Sequence, residues 1–152
     1  MRFSTKLLMA ALGVAVVAGS AGAAQAQQKP DEALKMRQGL MQAVKMNFGP
    51  IGAFAQGKGD LPTDAEAKAD NLVALSKIAP MAWRKGTEAL PDAATKPEAF
   101  ASADFPKGWS MLGDAAAKLK AAAASGNADA IKAAAGGVGK TCKGCHDNFK
   151  KE

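Results

Sequence analysis

Apolar side chains recur along this chain at spacings of three, four and seven in four stretches, the repeat of a helix with one buried face. The first stretch, Asp31 to Gln56, puts Leu34, Met41, Val44, Phe48, Ile51 and Ala55 on one stripe, with Pro30 before it and Gly57 after it as start and stop signals. Pro50 has no N–H for the carbonyl four residues back, which predicts a kink at Gly49-Pro50. The second stretch follows Leu61-Pro62-Thr63, carries Ala65, Ala69, Leu72, Leu75 and Ala79 on its stripe, and is limited by Pro80. Thr63 and Glu66 have the spacing of a capping box. The third runs from near Pro97 to Ala124 with Phe105, Trp109, Leu112, Ala116, Leu119 and Ala123 aligned, and the fourth from Ala128 to Phe149 with Asn127 as its cap. The fourth stripe reads Ile131, Ala134, Val138, Cys142, Cys145, Phe149. Between the second and third stretches, PMAWRKGTEALPDAATKP has no sustained period and reads as a long loop or a pair of short turns. The pattern predicts an all-α, antiparallel up-down-up-down four-helix bundle.

Composition agrees: the chain is rich in Ala, Lys, Leu and Met and has no Tyr. Residues 1–26 follow a different rule. A basic start (Arg2, Lys6), an apolar run from Leu7 to Val17 and the small-residue site Ala24-Gln25-Ala26 describe a cleaved, bacterial-type signal peptide and place the protein in the periplasm. The apolar run is short for a membrane span of about 20 residues, and no second run exists, so no membrane attachment is expected after cleavage. Residues 27–152 then form one domain. Subtracting Arg2 and Lys6 from the formal charge of +6 leaves +4, too small and scattered to indicate nucleic-acid binding.

The two cysteines and the single histidine stand together in Cys142-Lys143-Gly144-Cys145-His146. Cys-x-x-Cys-His is the attachment motif of a c-type haem. Thiols three residues apart on a helix share a face, about 5–6 Å apart at Cβ, and can add to the two vinyl groups on one porphyrin edge. His146 follows directly and can offer a nitrogen to the iron. A disulfide fits an oxidising compartment, a thioredoxin-like pair needs strands that this pattern lacks, and zinc needs about four ligands. The adjacent histidine and the export signal favour one covalently attached haem c.

With these residues the chain resembles the class II cytochromes c, the cytochrome c-prime family. The likeness covers residues 27–152 and rests on the four-helix pattern, CKGCHDNFKK late in the chain, KMRQGLM in the first helix, and GTE and KPEAF in the middle connection. It implies roles for further residues. Most members carry a non-ligating apolar side chain at the position of Met41 and leave the iron open to gases. A smaller low-spin branch carries methionine there as second axial ligand, and this chain has the methionine. The periodicity by itself leaves Met41 as either a ligand or a filler of the bundle interior, with Met36 a weaker candidate. Arg37 and Gln38 match positions near the haem propionates, which a guanidinium can hold. Lys150 stands close to His146, Trp83 is placed at the haem edge and Trp109 in the core. Gly39 would let the first helix approach the ring closely.

These readings predict an electron carrier, with iron held by His146 and Met41 and a rim of Lys140, Lys143, Lys150 and Lys151 steering an acidic redox partner protein. The alternative is a gas-binding haem protein for nitric oxide or carbon monoxide, with Met41 only packing the pocket. No residue cluster suggests an enzyme. Members of the family are often dimers through their first two helices, so a homodimer is a further expectation.

Overall fold

The computed structural model describes residues 29–152; the signal peptide of residues 1–26, and the start of the domain at Gln27, lie outside the described residues. Among the described residues four α-helices make the fold: α1 (Pro30–Ala55), α2 (Ala65–Ile78), α3 (Asp104–Ser125) and α4 (Ala128–Phe149). They form the antiparallel up-down-up-down bundle, in which α1 and α3 each pack against both α2 and α4. Among the described residues the only extended pairing is an isolated antiparallel bridge between Thr95 and Lys150. Among the described residues no helix is long and apolar enough to cross a membrane.

Each helix begins and ends for a local reason. α1 starts on Pro30, and Asp31 and Glu32 in its first turn face the positive end of the helix dipole. It continues as α-helix through Gly49-Pro50. Met46 and Pro50 are both exposed, so water can satisfy the carbonyl that Pro50 leaves unpaired. At α2 the expected capping box does not form: Asp64 holds the cap position without a side-chain bond and its carboxylate pairs with Lys68 at 2.9 Å. The third stretch divides. Pro97–Phe100 is a separate 3-10 turn and α3 begins at Asp104, so that Pro106 falls in the first turn, where a missing N–H costs nothing. α3 ends at Gly126, whose φ of 68° is the left-handed conformation of a helix C-terminus. Asn127 then caps α4 through its side-chain oxygen, which accepts from the amide of Ala130 at 2.9 Å.

The stripes meet in one core whose fully buried members include Ile51, Leu72, Leu119, Ile131 and Val138. Many remaining core positions are alanines, which bring helices close but fill little volume. The tightest approach is at Gly113, where a Cβ would lie 2.6 Å from the Ser76 hydroxyl, so a larger residue there would force the Ser76 side chain or the helix to shift. The 25-residue connection between α2 and α3 (79–103) holds two 3-10 turns, Ala79–Ala82 and Pro97–Phe100. Leu90 and Ala93 bury it against Ala33 at the start of α1.

Candidate functional site

The bundle holds a half-open cavity of about 560 Å³. α1 supplies a wall at helical spacing, from Leu34 and Arg37 through Met41 and Val44 to Phe48. α4 supplies Cys142, Cys145, His146 and Phe149, and α3 supplies Phe105, Gly108, Trp109 and Leu112. The connection contributes Trp83 and the run Asp92 to Thr95. The lining is mainly apolar.

Cys142 and Cys145 are free thiols, half-buried on the cavity face of α4. Burial pushes both above the ordinary thiol range, more than the Thr141 hydroxyl offsets at Cys142, and the neighbouring Cys142 adds to the rise at Cys145. Both therefore stay neutral near pH 7. A Cβ on Gly108 would lie 3.7 Å from the Cys145 sulfur, so α3 passes beside this thiol with only a glycine. Phe149 meets Phe105 edge-on at 5.3 Å, and Trp83 touches Phe105 at 5.5 Å and Trp109 at 5.4 Å between ring centroids. The Trp109 indole N–H is buried with no hydrogen-bond partner among the described residues. Two neutral thiols three residues apart, a histidine beside the second, and an apolar cavity of cofactor size fit a haem c.

The cavity brings together Arg37, Gln38, Met41, Trp83, Cys142, Cys145, His146 and Lys150. Met41 is half-buried and packs on the core, whereas Met36 is exposed and does not line this cavity. Trp109 is both core and cavity wall. Gly39 is exposed, with no protein atom within 4 Å of where a Cβ would stand, and it is not among the residues that line the cavity. Arg37 is turned to the connection: its Nε donates to the Ala82 carbonyl at 2.9 Å, and its two terminal nitrogens donate to the carbonyl and hydroxyl of Thr87. Gln42 and Lys45 also line the cavity, and their spacing of four from Gln38 and Met41 is a signal sequence reading could have used. Asp92 to Thr95 lack any such period and could not be found that way.

A family model for cytochrome c′ matches residues 32–150. This chain belongs to the cytochrome c′ family. Like its relatives, this cytochrome c′ carries one covalently attached haem c, and Cys142 and Cys145 are the thiols available to hold it. Cytochrome c′ of Rubrivivax gelatinosus is 37% identical over 129 residues, covering 82% of this chain and 98% of the relative. Its crystal structure superposes with a TM-score of 0.72. Cytochrome c′ of Alcaligenes xylosoxidans is similar as well. A ferrous variant with bound nitric oxide has 32% identity and a TM-score of 0.71 over 82% of this chain and 97% of that one, and another variant holds carbon monoxide. Cytochrome c-554 of Cereibacter sphaeroides is 34% identical over 141 residues, 85% of this chain and 87% of the relative.

Proposed function

We propose that this cytochrome c′ is an exported, periplasmic haem protein that binds small neutral gases, nitric oxide or carbon monoxide, and is a binder rather than an enzyme. The observation that carries this reading is the α1 wall. Leu34, Met41, Val44 and Phe48 form an apolar stripe along it, with Arg37, Gln38, Gln42 and Lys45 lining the cavity beside that stripe. Around Met41 that stripe offers a small uncharged diatomic nothing worse than water does, while it disfavours ions and gives water no hydrogen-bond partner of its own. The relatives of known structure that hold nitric oxide and carbon monoxide support it. The haem supplies an iron that can take such a gas as ligand. From α4, His146 would hold that iron and thioethers of Cys142 and Cys145 would keep the group in place, with Met41 on the α1 side of the same cavity where a gas would bind.

Met41 also favours a second reading. Its thioether is on the cavity wall, and methionine with histidine is an established haem ligation. Met41 would then be the second axial ligand of an electron carrier. The exposed Lys140, Lys143, Lys150 and Lys151 would steer an acidic partner, although Lys143 is already paired with Asp147 at 2.6 Å.

Stopped-flow binding of carbon monoxide to the reduced protein separates the two. Under the gas-binding reading the observed rate rises in proportion to gas concentration, the ferric protein is high-spin, and Met41→Ala speeds binding at least about tenfold, the effect of removing roughly 1.4 kcal/mol of barrier. A rate that saturates at loss of the sulfur, with a low-spin ferric spectrum that Met41→Ala abolishes, gives the electron carrier instead.

A further inference from the structure

Arg37 is a charged side chain only 4% exposed, on the same face of α1 as Met41 and one turn before it. No carboxylate among the described residues lies within ion-pair distance of it. Its charge is solvated by the connection instead, through the Ala82 carbonyl at 2.9 Å, the Thr87 carbonyl at 3.1 Å and the Thr87 hydroxyl. The guanidinium also lies against Phe100 at 4.9 Å and Trp83 at 5.7 Å from the ring centroids. Thr87 is braced in turn by donating to the Arg84 carbonyl at 2.6 Å.

The fastening continues across the cavity. Trp83 donates from its indole to the Thr95 hydroxyl at 2.9 Å. Thr95 is bridged to Lys150, with the amide of Lys96 bonded to the Phe149 carbonyl and that of Lys151 to the Ala94 carbonyl, both at 2.8 Å. One chain of bonds thus runs from the Met41 face of α1 through the connection to the end of α4.

We infer that Arg37 is a positioning residue for Met41: its three bonds to Ala82 and Thr87 fix the face that α1 turns to the cavity, and so hold Met41 over the gas-binding side. The inference rests on the role proposed for Met41 above. It differs from a propionate contact in its partners, which are the Ala82 carbonyl and the Thr87 carbonyl and hydroxyl of the connection. Three acceptors spread over two residues need the planar fork of arginine, and an ammonium on a flexible stem cannot match them.

The test uses the haem-loaded protein and four variants: Arg37→Lys, Thr87→Val, Met41→Ala and the double variant Arg37→Lys with Met41→Ala. Carbon monoxide association and trypsin cleavage after the exposed Arg84 and Lys85 are measured on each. Arg37→Lys and Thr87→Val should each speed gas binding by about threefold or more, and Arg37→Lys should add nothing once Met41 is alanine. Cleavage after Arg84 or Lys85 should be faster in Arg37→Lys. Equal fold-changes with and without Met41, a wild-type rate or wild-type cleavage in Arg37→Lys, or an unchanged rate in Thr87→Val would overturn the inference. If Arg37→Lys does not fold, Thr87→Val decides alone, combined with Met41→Ala in the same way. Loss of the underlying reading looks different: Met41→Ala by itself would leave the gas rate unchanged, and the role of Arg37 would fall with it.

Discussion

A thiol must be a thiolate to attack most reagents, so burial of Cys142 and Cys145 has a measurable sign. Both are raised above the ordinary range, chiefly by desolvation. At a given pH the folded, reduced apoprotein therefore carries less thiolate than the unfolded chain. Iodoacetamide at about pH 8, near the ordinary thiol range, should label the folded form more slowly than the urea-unfolded form. The gap should narrow as pH rises through the folded values; equal labelling at every pH would show that the thiols are not buried. At this scale the haem-binding pentapeptide was legible because its residue types and spacing state the chemistry. The surroundings of Arg37 were not, since its partners are a hydroxyl and two backbone carbonyls 45 and 50 residues away in a segment without period.

The helices show how far local signals carry. Asn127 and Thr63 looked like equivalent caps in the sequence, but only Asn127 makes its bond. Asn127→Ala should lower unfolding free energy by about 1 kcal/mol in thermal or denaturant melts, and Thr63→Ala should stay within about 0.5 kcal/mol of the parent. Comparable losses would mean that Thr63 caps after all. The fourth helix was readable to its ends because its cap and stripe agree. The third was not. Pro97 opens a turn that looks like a helix start, and the true start at Asp104 is set by a local bond in which the Asp104 amide donates to the Ser102 hydroxyl at 3.1 Å. The order and pairing of the helices followed from the stripes; the folding of the connection over the cavity did not, because its contacts are with distant residues rather than with its own neighbours.

For the molecule as a whole, the cavity means that haem is part of the core. The cavity of about 560 Å³ leaves part of the surface of its large lining side chains, such as Phe48, Phe105, Trp109 and Leu112, without protein atoms against it. Apoprotein should thus be partly helical and loosely packed, and calorimetry should give it a lower and broader transition than the holoprotein. Equal, equally sharp transitions would show that the bundle packs without its cofactor. The bridge between Thr95 and Lys150 has a further effect. Helix ends normally open and close on their own, at almost no cost in free energy. Here the last turn of α4 cannot do so, because residues 149–151 are bonded to residues 94–96 of the connection. Fraying at the end that carries His146 must open both segments together, so the steadiness of that histidine is borrowed from a part of the chain some fifty residues before it.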